Sequence, residues 1–134
     1  MTITVKAKWT QGMQFIARTD GGPAVVMDSP DGGSGASPME MMLMGVAGCT
    51  GMDVMTILAK KRMVVTGFNV HISGTRSEGY PRRYTEVEIE YVVEGADINP
   101  TGVQQAIDLS TSKYCGAMAS LNATITTRFR IEPS

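Results

Sequence analysis

The stretch from Pro38 to about Arg62, PMEMMLMGVAGCTGMDVMTILAKKR, constrains the fold more than any other part of the chain. It is apolar around much of a helical circumference up to Ile57 and Leu58. A helix of that kind is buried rather than laid on a wet surface. Ser37 is placed to cap it, Pro38 takes the first helical position, and Glu40 falls where a capping-box glutamate belongs. Lys60, Lys61 and Arg62 bring cations to the negative end of its dipole. At ~1.5 Å per residue the helix exceeds ~30 Å in length. A chain of 134 residues is one domain's worth of sequence, here 1–134, and too short to cover such a helix fully. This predicts an obligate homodimer.

Three glycines, Gly45, Gly48 and Gly51, interrupt the helix. Each costs about 1 kcal/mol in a helix interior, so a packing gain must offset them, and a helix–helix crossing would supply it. Cys49 lies inside this glycine patch, surrounded by Met39, Met41, Met42, Met44, Met52 and Met55. The methionines read as core, or otherwise as the soft lining of a pocket for apolar molecules.

Strand periodicity flanks the helix on both sides. Ile3, Val5, Ala7 and Trp9 alternate with polar residues, Met13–Thr19 forms a second run, and Ala24–Met27 a third. The three read as an N-terminal meander, followed by a mobile Gly/Ser/Pro loop, Asp28–Pro38. After the helix, Phe68–Ser73 and Tyr84–Val93 read as a hairpin with Glu86, Glu88 and Glu90 on its wet face. Asn99-Pro100 opens a second helix carrying Val103, Ala106, Ile107 and Ser110. Ser110, Thr111 and Ser112 are placed to cap a short helical piece ending near Leu121, and 123–131 closes the chain as a strand. The class is α+β, with antiparallel sheets packed on two main helices.

Several function classes drop out. A formal charge of −1 gives no pull toward nucleic acid or anionic lipid, and the basic run Arg76–Arg83 reads as a solvated turn. MTITVKAKW is not a signal peptide. The apolar segment Met41–Val54, broken by Cys49-Thr50-Gly51 and Asp53, falls short of a membrane span in length and content. The expected location is the cytoplasm, where two cysteines are thiols or a transient disulfide. Two Cys and the lone His71, on a polar strand face, are too few ligands for a closed zinc site, so no metal or cofactor is expected. The thiols remain, and from the residues alone Cys49 reads either as core packing or as one half of a redox pair with Cys115.

The segments ASPMEMMLMGVAGCTGMDVMTIL and DLSTSKYCGAMASL together resemble the OsmC/Ohr family, the osmotically inducible and organic hydroperoxide resistance proteins, and most of all its YhfA-like branch. The resemblance spans nearly the whole chain. It implies an OsmC-like fold in an intertwined homodimer, with two sites at the subunit interface. It implies a thiol peroxidase acting on organic hydroperoxides, with Cys49 peroxidatic, Cys115 resolving and a dithiol such as a lipoyl group as reductant. The family activates its thiol with an Arg from the N-terminal strands held by a Glu at the start of the Cys helix. Arg18 and Glu40 match, although Met39 stands where the family places that Glu. Glu40 and Cys49 lie roughly 13 Å apart along a straight helix, so the partner subunit's helix would supply the glutamate. Asp53, one turn beyond Cys49, opposes a thiolate there if ionised and close. The other reading is a non-enzymatic dimer that binds or senses small molecules in a Met-lined interface pocket. The peroxidase reading further implies a Cys49–Cys115 disulfide within one subunit, with Cα atoms near the limit for bridging.

Overall fold

A computed structural model describes residues 1–133. The chain divides into two compact units, Met1–Met42 and Leu43–Ser134.

The first unit is the meander. Strands β1 (Val5–Gln11), β2 (Gln14–Thr19) and β3 (Ala24–Met27) form an antiparallel sheet in sequence order. Val5 pairs with Thr19, and Phe15 with Met27. The alternation of β1 suggested a half-buried strand, but all seven of its residues are exposed within this chain. The loop that follows, expected to be mobile, is tied by hydrogen bonds to Asp28. Asp28, buried, accepts hydrogen bonds from the Ser29 amide at 2.7 Å and the Ser34 hydroxyl at 2.5 Å. These bonds, led by the Ser34 hydroxyl, hold its carboxyl below the ordinary range.

Helix α1 spans Pro38–Lys60. It opens on the expected capping box: the Ser37 amide donates to Glu40 at 2.9 Å and the Glu40 amide to the Ser37 hydroxyl at 3.2 Å. It stops at Lys60, two residues short of the expected end, and Arg62 then adopts a left-handed conformation at φ 62°. The expectation that this region is too short and too interrupted for a membrane span needs correcting. Over 23 residues, with a mean hydropathy of 1.6 in its most apolar window, α1 is long and apolar enough to cross by length and composition. A soluble protein's core helix passes the same test.

The second unit centres on a sheet ordered β4 (Gly67–Arg76), β5 (Tyr84–Glu94), β6 (Thr124–Glu132). The β4–β5 hairpin is antiparallel, as its alternation predicts. The closing strand is not: β6 runs parallel to β5, with Tyr91 opposite Phe129. The connection is a crossover through α2 (Pro100–Leu109), a π-helical turn at Ser110–Tyr114 and α3 (Gly116–Ala119), of the length a parallel pairing requires. Asn99 caps α2 through its side chain, 2.9 Å from the Thr101 amide.

One face of β5 places Val87, Ile89, Tyr91 and Val93 in the core with Val46, Val54 and Leu58 of α1 and Val103 and Ile107 of α2. The other carries Glu90, which pairs with Arg128 at 3.1 Å and lies 3.7 Å from His71. His71 is thus an ordinary polar-face residue.

The chain covers only part of α1. Val46, Thr50, Gly51, Val54 and Leu58 are buried, while Met42, Met44, Met52 and Met55 are exposed. The glycines divide the same way. An added Cβ on Gly51 would meet Val70 and Phe68 at 3.5 and 3.6 Å, so the close approach is to strand β4 rather than to a helix. Gly45 and Gly48 face open space. At about 100° per residue, Met44, Gly45, Gly48, Met52 and Met55 form one continuous stripe.

Candidate functional site: two thiols and a carboxylate

Cys49 sits in the middle of α1, half-buried, and Cys115 is buried at the start of α3. Both are free thiols. The fold brings them together with Asp53: the two sulfurs and a carboxylate oxygen lie within 4.8 Å of one another. The i, i+4 spacing of Cys49 and Asp53 puts them on one side of α1, and the crossover carries Cys115 onto them.

The π-helical turn sets the position of Cys115. Its amide donates to the carbonyl of Ser110, five residues back, at 2.8 Å. Such a turn carries one residue more than α-helical pairing. Thr111 and Ser112 support it by donating their hydroxyls to the carbonyls of Ile107 and Asp108 at 2.8 and 2.6 Å. The serines and threonine are therefore not caps of α3. Cys115 itself is the cap, its sulfur accepting from the Met118 amide at 3.4 Å. Burial pushes the Cys115 thiol up from 9.0 to about 11 against this bond, and the neighbouring Cys49 thiol adds to the rise.

Asp53 is held by a chain of hydroxyls that the sequence alone did not reveal. Ser110 donates to Asp53 Oδ2 at 3.0 Å. Thr50 lies 2.7 Å from Ser110 and 2.7 Å from Tyr91, and all three hydroxyl residues are fully buried. A carboxylate only accepts, so its presence fixes the direction of every proton. Ser110 spends its proton on Asp53 and accepts from Thr50, which in turn accepts from Tyr91. Burial raises the Tyr91 phenol against the Thr50 bond, so it remains a donor at neutral pH. Beside Asp53 opens a cleft of about 300 Å³, lined also by Thr56, Ile57, Lys60, Leu109 and Tyr114. Asp53 had looked like an interruption of an apolar helix and Ser110 like a cap. Their contact spans 57 residues of sequence, and no local pattern announces it.

The remaining expected site residues lie in the first unit. Arg18 is an exposed residue of β2, opposite Lys6 and Ala24. It lines an apolar cleft of about 370 Å³ with Val5, Ala17, Val25, Met27 and Met41. Glu40 is exposed, and the Ser37 backbone amide, followed by the Ser37 side chain, holds its carboxyl below the ordinary range.

The comparisons with known proteins agree with this architecture. The family model for OsmC-like proteins matches residues 31–130. The Escherichia coli protein YhfA is 35% identical over 120 residues, covering 90% of each chain. A crystal structure of a hypothetical protein from Aquifex aeolicus is 32% identical, superposing with a TM-score of 0.84 over 98% of each chain. At 16% identity, the organic hydroperoxide resistance protein OhrB of Bacillus subtilis shares the fold, with a TM-score of 0.65 over 97% of this chain and 98% of its own. On the match to its family model and to YhfA, the chain belongs to the OsmC-like family.

Proposed function

We propose that the protein is a cytoplasmic, thiol-dependent peroxidase that reduces organic hydroperoxides through Cys49 and Cys115. The observation that carries the reading is the pairing of a half-buried thiol with a buried one in a single cluster. The Cys49 thiolate attacks the outer oxygen of the O–O bond. The bond breaks, the alkoxide leaves as the alcohol after taking a proton, and Cys49 becomes a sulfenic acid. The Cys115 sulfur then attacks the Cys49 sulfur, releasing water and closing the disulfide. Two thiols of an external dithiol, such as a lipoyl group, reduce it and are themselves oxidised to a disulfide.

In this reading Cys49 needs a cation to hold it as thiolate, because Asp53 opposes the charge. Arg18 and Glu40 supply and orient that cation at the interface of a homodimer. The unpartnered apolar surface supports the dimer. Met44 and Met52 on the α1 stripe are 55% and 73% exposed. Monomeric soluble proteins seldom expose large apolar patches without a partner.

The test is steady-state reduction of an alkyl hydroperoxide with a dithiol donor. Wild type turns over, and Cys49→Ser abolishes turnover. Cys115→Ser undergoes one oxidation at Cys49, which then proceeds to sulfinic acid because nothing captures the sulfenic form. Sulfenic acid at Cys49 without turnover in wild type would replace this reading with a non-enzymatic dimer that binds or senses oxidants in its Met-lined interface. Unreactive thiols would leave both cysteines as packing residues.

A further inference from the structure

We propose that Cys49, Asp53 and Cys115 bind one thiophilic divalent cation of the zinc type, with one coordination position left open. Counting cysteines and histidines leaves too few ligands for such a site, but the fold adds a carboxylate. The three donor atoms lie within 4.8 Å of one another. Around zinc, with bonds of about 2.3 Å to sulfur and about 2.0–2.2 Å to oxygen, tetrahedral donors stand roughly 3.5–3.8 Å apart. The longest separation therefore has to contract by no more than about 1.3 Å, within reach of small side-chain rotations. A disulfide asks much more, since its sulfurs meet at about 2.05 Å.

The surroundings fit a metal centre. Coordinating groups need outer partners that fix their orientation, and two of the three have them. Asp53 accepts from Ser110, itself fixed by the buried Thr50–Tyr91 chain. Cys115 accepts from the Met118 amide. Cys49, half-buried, and the cleft beside Asp53 give an ion a way in. Two sulfurs and one carboxylate select zinc, cobalt or cadmium over magnesium or calcium, which prefer all-oxygen shells. Sulfur coordinates as thiolate, so any thiol proton still present leaves to solvent on binding. Three protein ligands leave the fourth position for water or a small ligand, the arrangement of an open zinc site.

The test uses the full-length reduced protein, titrated anaerobically with Co²⁺ and then with Zn²⁺. The expected result is a thiolate-to-cobalt charge-transfer band that saturates at one equivalent per chain and is bleached by zinc. Cys115→Ser should remove about half of the band's intensity per bound ion. Asp53→Asn should weaken affinity at least ~10-fold, and Ser110→Ala, which acts through Asp53, by ~10- to 100-fold. His71→Ala should change nothing, which separates this cluster from the His71–Glu90 pair. Denaturation midpoints check that each variant is folded. Independently of any variant, one equivalent of Zn²⁺ should protect both wild-type thiols from a disulfide reagent. No charge-transfer band in wild type, no protection, or an affinity unchanged in folded Asp53→Asn would overturn the proposal. The readout does not depend on hydroperoxide turnover. Failure of the peroxidase reading would leave the metal result standing, and failure of the metal result would leave turnover untouched.

Discussion

The directed hydroxyl chain can be tested by deleting its links one at a time. Thr50→Val keeps the shape of a fully buried side chain but removes both its bonds, the one it accepts from Tyr91 and the one it donates to Ser110. The Thr50–Ser110 bond is worth about 0.5–1.5 kcal/mol net, and leaving the buried Tyr91 O–H without an acceptor costs about 1–3 kcal/mol more. The added methyl returns about 0.8 kcal/mol. The net loss is about 2 kcal/mol, or a fall in Tm of about 8 °C for a chain of this size. Tyr91→Phe instead removes the first donor in the chain. Thr50 keeps its donated bond and no buried donor is orphaned, so the loss is one bond, about 1 kcal/mol. The double variant is the decisive measurement. With Tyr91→Phe already present, Thr50→Val leaves no orphaned donor, and its penalty should shrink by about 1 kcal/mol or more. Denaturant unfolding of the reduced protein, at one fixed protein concentration, measures all four species. Equal single losses that add in the double variant would refute the assigned direction of the chain.

Four further outcomes follow from the packing and the thiols. Gly51→Ala should stabilise the protein by about 0.5–1 kcal/mol, because its Cβ meets Val70 and Phe68 at ordinary contact distance and alanine favours the helix; a loss of stability in thermal unfolding would contradict this. Gly74→Ala should destabilise by about 1–3 kcal/mol, since its Cβ would stand 2.6 Å from the Tyr84 ring, and the same assay reads it. The Cys115 thiol is raised in the fold from 9.0 to about 11, so between those values the folded state holds more protons than the unfolded one. Its contribution is full below pH ~9 and is lost as the pH rises toward ~11. Unfolding free energies across that window should fall more steeply in wild type than in Cys115→Ser, and parallel curves would refute the burial of this thiol. Met52→Glu on the exposed stripe of α1 should shift sedimentation at low micromolar concentration from dimer to monomer, whereas wild-type monomer at that concentration would count against the dimer.

What the sequence made legible was whatever has a local cause. The capping box at Ser37–Glu40, the Asn99 cap and the alternation of Val87, Ile89 and Tyr91 are each written within a few residues, and each element stands where its pattern places it. The parallel pairing of β6 was not legible, because Ile125, Phe129 and Ile131 alternate identically whichever way the strand runs. The burial of α1 was over-read: hydropathy says that a face must be covered but not whether this chain covers it. The proximity of Cys49 and Cys115 came from family resemblance. Asp53 was placed one turn from Cys49, but its contact with Ser110 escaped both routes, since a serine after a helix has a commonplace local explanation.

The π-helical turn ties the geometry of the thiols to chain length. Cys115 faces Cys49 and Asp53 because the turn before it holds one residue more than an α-helix would. Loss of a single residue from Thr111–Lys113 would let the segment relax to ordinary α-helical pairing and swing the position of Cys115 by about 100°. Side-chain exchanges within the turn leave that phase intact. The cluster is therefore guarded against insertions and deletions more strictly than against substitutions, and the spacing from Ser110 to Cys115 is as much a part of the site as the residues themselves.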